Sequence, residues 1–319
     1  MREALFIKKN KGRWEKMVHL PADDIDEMAG EFTQLVDDLG YSKTFYPASK
    51  TTTFLNTEAS KRYLSIYKNR REEKNRILQF FTEDLPLAVA KHHKVLLICF
   101  ICFMLFYVVG FYSAMKDESI VRDILGDSYV RQTEKNIADG NPFGIYQTEK
   151  EFSMWISIML HNIEVAFMFF LRGLLFPFFT IQYLVQNAMM VGVFDEFFYI
   201  RGLGNQFILA VMIHGILELS AIVIAAASGI VLGKGWLFPG ELSRLDGFKL
   251  GAKEGMKIFI GVVPILMIAA FFEGFVTRHY NSMPLWINIS ILLASTVFII
   301  GYFVLYPFKL KKKHKQIAE

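Results

Sequence analysis

Residues 206–233 read QFILAVMIHGILELSAIVIAAASGIVLG. At 1.5 Å per residue such a run is long enough to cross a hydrocarbon layer of about 30 Å as a helix. Its only ionisable residues are His214 and Glu218. Charge in hydrocarbon is expensive, so a His and a Glu there require a partner or a purpose. Four residues apart, they share one face of a helix. Ala221, Ala225, Gly229 and Gly233 also recur every four residues, on roughly the same side. Small residues at that spacing let helix backbones approach closely, which places the polar pair inside a bundle or at a subunit contact.

Outward from this run, further apolar segments lie at about 95–113, 153–171, 173–194, 257–276 and 286–306. The expected fold is therefore all-α: a polytopic membrane protein of about six transmembrane helices. The second and third segments are separated only by Arg172 and Gly173, so they form a tight hairpin or are partly re-entrant. Composition agrees. The 319 residues are 53% hydrophobic and include 31 Phe, too apolar for a soluble domain of this size.

Residues 1–93 are soluble in character and are expected to form a cytoplasmic helical domain. Pro21 to Gly40 carries Ile25, Met28, Phe32, Leu35, Val36 and Leu39 at helical spacing, and a second helix is expected from Phe54 to Phe81, with Leu55, Tyr63, Leu64 and Tyr67 on one side. Phe80 to His93 has the amphipathic character of a segment lying along a membrane surface. Residues 94–308 then form the transmembrane domain and 309–319 a basic tail.

The net charge is +4, with the basic excess clustered at 91–94 (KHHK) and 309–315 (KLKKKHK). Such clusters at the ends of apolar runs read as cytoplasmic anchors that attract anionic lipid rather than as nucleic-acid sites. Lys234, Arg244, Lys249, Lys253 and Lys257 make the 234–257 loop basic, whereas 114–152 carries a net excess of acid. Six spans with both termini in the cytoplasm satisfy all of these together. The N-terminus lacks the apolar core of a cleavable signal. Cys99 and Cys102, inside the first apolar segment, lack the second pair that a zinc site needs and read as small buried or lipid-facing residues.

That topology puts the polar residues of four spans at a similar depth, biased outward: His214 and Glu218, Glu273, Asn187, and His161 with Asn162 and Glu164. Three readings follow. The set locks helix register, or lines a polar path for an ion, proton or lipid headgroup. In the third, His214, Glu218 and a carboxylate such as Glu273 or Glu164 bind a metal. The His-Glu-x-x-His helix of zinc proteases is not present, nor is a Walker motif, a dinucleotide fingerprint or a Gly-x-Ser-x-Gly elbow, so no complete motif identifies a catalytic residue and no cofactor is expected; an intramembrane metal-dependent enzyme with Glu218 as ligand or base stays as an alternative to the scaffold and the conduit.

The motifs taken together resemble the stage II sporulation protein M family of integral membrane proteins, broadly defined to include relatives from bacteria that do not sporulate. The resemblance is carried by REALFIKKNKGRW at 2–14, DDLGYSKTFYPAS at 37–49 and TFLNTEASKRYLSIY at 53–67. Most specific are 214–233, FPGELSR at 238–244 and IAAFFEGFVTR at 268–278. The signature falls on His214, Gly215, Glu218, Ser220, Gly229, Pro239, Gly240, Arg244, Glu273 and Gly274. It implies a multi-pass protein of the bacterial inner membrane, a non-enzymatic scaffold that assembles with envelope or peptidoglycan-processing partners; the small-residue face Ala221, Ala225, Gly229 and Gly233 adds the expectation of a homo-oligomer. The long N-terminal region resembles the wider, non-sporulation group, whose members stand beside RDD-type membrane proteins and MoxR-type ATPases.

Overall fold

The computed structural model describes residues 2–19, 25–69, 75–147 and 150–318; these are mainly helical, joined by short turns, with no strand among them. The chain divides into two compact units, Met1–Leu78 and Gln79–Glu319.

The first unit contains α1 (Glu3–His19), α2 (Ile25–Phe45) and α3 (Lys50–Asn69). Its core joins Phe6, Trp14 and Met17 of α1 to Leu35 of α2 and to Leu55 and Ala59 of α3. The helix expected over 21–40 is observed from Ile25 and continues to Phe45; residues 21–24 and 70–74 lie outside the described set. Phe6 and Trp14 are core, and Phe6 stacks on Tyr41 at 5.0 Å, whereas Phe45, Phe54 and Tyr63 are exposed. The Trp14 indole N–H donates to Asp38 at 2.8 Å, which satisfies the one polar group that burying a Trp brings along. Arg62, 9% exposed, pairs with Glu31 at 3.2 Å and donates to the Met17 carbonyl, which ties all three helices together.

The remaining helices are α4 (Arg76–Gln79), α5 (Leu85–Lys91), α6 (His93–Lys116), α7 (Ser119–Leu125), α8 (Asp127–Ala138), α9 (Glu151–Leu175), α10 (Pro177–Tyr199), α11 (Gly204–Leu237), α12 (Arg244–Phe271), α13 (Leu285–Ile299) and α14 (Tyr306–Ala318). Wide π-helical turns at Phe80–Asp84, Phe272–Val276 and Ile300–Leu305 interrupt or extend them.

Among the described residues, five helical stretches are long and apolar enough to cross a membrane: His93–Lys116, Glu151–Leu175, Gly204–Leu237, Arg244–His279 and Leu285–Gln316. The sixth segment expected from sequence, α10, is diluted by Gln182, Gln186 and Asn187. It nonetheless runs the length of the bundle. Gly235 of α11 meets Gly247 and Gly251 of α12 while His214 meets Thr277, so these two helices are antiparallel. Phe170 of α9 meets Phe259 while Trp155 meets Phe271, so α9 is antiparallel to α12 and parallel to α11. Two parallel helices in succession need a return segment, and α10 supplies it. Thr180 lies by Gly229, and Phe194 and Phe198 pack on Phe207. The corner between α9 and α10 is Phe176 in an extended conformation followed by Pro177, whose fixed φ suits the first helical position.

α11 is the axis of this bundle, with 61% of its most apolar stretch buried, against 17% for α6 and 11% for Leu285–Gln316. The outer helices instead expose Leu97, Ile98, Phe100, Ile101 and Leu105, and Trp286, Leu293 and Val297. An apolar belt of this size has the bilayer as its solvent.

Small residues make the axis possible. A Cβ on Gly173 would fall on the Gly229 carbonyl, one on Gly229 on the Phe169 carbonyl, and one on Gly233 on the Gly173 carbonyl and Pro177. The small-residue face of α11 is therefore used against α9 and the start of α10 within the chain. On α12, Gly251 and Gly255 bring that helix against Val231, Leu232 and Ser228. Dispersion contact between backbones this close is what lets helices associate without a hydrophobic drive.

The segment 80–91, which reads as surface-lying in the sequence, has its apolar residues inside the bundle. Leu85 is fully buried against Gly261, and Val89 and Ala88 join the main core. The Tyr302 and Tyr306 hydroxyls donate to the Phe81 and Thr82 carbonyls at 2.5 and 2.8 Å. At the opposite end α7 and α8 cap the bundle, burying Val121, Val130 and Phe143 with Phe197, Phe198 and Phe207.

Candidate functional site

Three of the expected intramembrane residues converge. His214 and Glu218 lie one turn apart on α11, about 15 and 20 Å along its axis from its start at Gly204. Glu273 comes from the π-helical turn Phe272–Val276 that follows α12. One donor atom from each of the three lies within 4.8 Å of the others. His214 is 4% exposed, and its Nε2 is 3.9 Å from Glu273 Oε2. Its Nδ1 shares a 2.9 Å hydrogen bond with Thr277 Oγ1, itself fully buried.

The local sequence explains how Glu273 and Thr277 both reach His214. Pro264 interrupts the hydrogen-bond ladder inside α12, and the helix then widens into FEGFV at 272–276 and tightens into a 3₁₀ turn at Thr277–His279. Wide turns of this kind insert one residue into the ladder and reset which side chains face a neighbour. Gly274 lets the turn press on the backbone of Glu151 and Trp155 in α9. Arg278 holds it there: its Nε donates to the Gly274 carbonyl at 2.9 Å and Nη1 pairs with Glu151 at 2.9 Å. The acids are thus held by two helices and a braced turn rather than by a loop.

The other members of the expected polar set do not join this cluster. His161 and Glu164 are exposed on the outer side of α9, and Asn187 bonds its own helix through the Tyr183 carbonyl at 2.8 Å. The expected meeting of four spans at one depth is replaced by a meeting of two, because depth along a helix does not fix which face a residue takes. Asn162, on the buried side of α9, has an amide nitrogen without a hydrogen-bond partner among the described residues. Ala221, Ala225, Gly229 and Gly233 continue the α11 face below Glu218 into the apolar core. Gly215 sits beside Met212 and Val211, whereas Pro239 packs on Gly247. Gly240 takes a positive φ of 65° in the turn that leads to Arg244, the first residue of α12.

Thr277 was not among the residues the sequence singled out. It stands four after Glu273, so a polar i,i+4 pair was the available signal, masked by the widened turn. A second missed cluster lies at the other end of the bundle. Glu254, 9% exposed, faces Lys91 at 3.6 Å, His92 at 3.7 Å and Lys257 at 3.9 Å, and Lys257 also pairs with Asp84 at 3.2 Å. These pairs clamp the entry to α6 onto α12. Burial, followed by the neighbouring Lys91 charge, pulls the His92 pKa below its ordinary value against the opposing pull of Glu254.

Chemically, one imidazole and two carboxylates in a buried, braced position can share protons or hold a cation.

The N-terminal helices match the model of a domain of unknown function, DUF8413, over residues 4–68. The N-terminal resemblance seen in the sequence thus falls on a domain distinct from the one that carries the site. No curated protein and no solved structure matches the chain. The model of the family named stage II sporulation protein M matches residues 99–278, more than half of the chain. His214, Glu218 and Glu273 all lie inside that match, and the chain belongs to the stage II sporulation protein M family.

Proposed function

We propose that this protein is a non-enzymatic scaffold of bacterial envelope machinery, a multi-pass component of the inner membrane with both termini cytoplasmic. The observation that carries the reading is the backbone-to-backbone seam of α9, α11 and α12 at Gly173, Gly229, Gly233, Gly251 and Gly255. Helices in such contact cannot rock past one another without losing it, which suits a rigid platform better than an alternating conduit. The sidedness is supported by the basic residues at the α6 start, the 234–257 connection and the C-terminal tail, against the net excess of acid in the 114–152 connection.

Self-association is part of the proposal, on a different basis from the small-residue face of α11. His161 and Glu164 are exposed on α9, a helix apolar enough to cross the membrane. Ionisable groups facing lipid are costly, and a second copy or a partner helix would cover them. Envelope or peptidoglycan-processing proteins are the proposed partners, and anionic lipid the neighbour of the basic tail.

The test pairs assembly with flux. Native-membrane complexes should lose mass when His161 and Glu164 are both replaced by Leu, while liposomes holding the purified protein pass neither protons nor labelled ions above protein-free controls. Unchanged complexes together with a flux abolished by Glu218→Gln would instead establish the conduit, the reading that the His214–Glu218–Glu273 cluster favours.

A further inference from the structure

We infer that His214, Glu218 and Glu273 form a binding site for a divalent transition-metal ion, with zinc the ion best matched to the donors. The set contains one imidazole nitrogen and two carboxylate oxygens, the ligand types that zinc takes in tetrahedral sites. The donor atoms lie within 4.8 Å of one another. A zinc tetrahedron with bonds of about 2.0–2.1 Å has edges of about 3.4 Å, so the widest donor separation must contract by up to about 1.4 Å. Rotation of the two Glu side chains supplies that movement, since each has three torsions, while the ring of His214 is held in place.

Two further features point to a cation. Thr277 bonds Nδ1 of His214 at 2.9 Å, and the other nitrogen is the one that faces Glu273. Donation of Nδ1–H to Thr277 would turn the Nε2 lone pair toward the acids, the arrangement that orients a metal-bound histidine. Among the described residues no Lys or Arg pairs with Glu218 or Glu273. Two carboxylates in an apolar bundle are then balanced by a divalent ion, which cancels their charge without burying a long cationic side chain. The fourth position of the tetrahedron falls to water or to a second carboxylate oxygen. This site stands apart from the assembly role proposed above, since neither its donors nor its test involves a partner.

The test uses the full chain purified in detergent, loaded with excess zinc, gel-filtered and assayed for metal by mass spectrometry. About one zinc per chain should remain. Glu218→Gln and Glu273→Gln keep size and hydrogen bonding but remove the charge, and each should lose the metal while eluting as wild type does. Thr277→Val, which removes only the group orienting His214, should weaken zinc about 10–100-fold in a chelator competition and bind fully at saturation. His92→Gln with His93→Gln should keep the metal. A wild-type protein without zinc overturns the assignment, as does zinc retained by both Gln variants or lost from the His92/His93 variant. Should the Gln variants misfold, the wild-type melting temperature decides: zinc must raise it and magnesium must not, and an unchanged value with zinc overturns the site.

Discussion

Gly173→Ala adds one methyl group at the point where α9 and α11 touch. The new Cβ would fall on the carbonyl of Gly229, whose own position is fixed by the Phe169 carbonyl and Thr180. No rotamer change relieves a clash with backbone, so the helices must separate along the seam that runs on to Gly233 and Pro177. Forcing a methyl or methylene into a packed core costs about 1–3 kcal/mol, and the absence of a side chain that can yield places this site at the upper end. Ala in place of Gly returns at most about 1 kcal/mol of helix propensity. The net loss is about 2 kcal/mol. At about 2–4 °C per kcal/mol for a unit of this size, melting should fall by about 4–8 °C. Gly301→Ala is the matched control, because a Cβ there meets open space. It should leave the melting temperature within about 1 °C or raise it. The assay is thermal unfolding in one detergent, followed by tryptophan fluorescence. Gly173→Ala melting with wild type, or Gly301→Ala falling as far, would refute the claim that backbone contact holds α9 to α11.

Three further outcomes are expected. Glu254→Gln leaves Lys91 and Lys257 facing each other across a buried amide and should cost about 1–3 kcal/mol in the same assay, whereas Asp246→Asn, in an exposed pair with Lys249, should cost under about 1 kcal/mol. His92 is favoured neutral in the fold because burial lowers its pKa. The unfolded chain therefore binds the proton more readily, and stability should be full above about pH 6.5 and decline as pH falls below it. In His92→Gln that part of the pH dependence should vanish. Trp14→Ala removes a buried ring and a hydrogen bond to Asp38 and should cost about 3–5 kcal/mol within the first unit. Limited proteolysis should then cut within residues 1–78 while the bundle fragment stays intact.

The fold class and the membrane setting can be read from the chain alone. Apolar runs such as 206–233 can be satisfied only as helices in hydrocarbon, and their length, the Pro and Gly breaks and the basic ends are all local properties. The chain also singles out His214, Glu218 and Glu273, because an ionisable residue in such a run is visible without any partner. Orientation about the helix axes, by contrast, follows only from how the helices pack. Hydropathy gives depth, but His161 and Glu164 face outward and Glu273 inward because of how α9, α11 and α12 turn against one another. The widened turn at 272–276 breaks the periodicity from which a helical face is read, and it hid Thr277 from that reading. The glycine ladder was legible as a contact surface, but its partner was not. That choice rests on the corner at Phe176–Pro177, which folds α10 back and sets Gly173 of α9 against Gly229, a contact between residues 56 apart that no local pattern encodes.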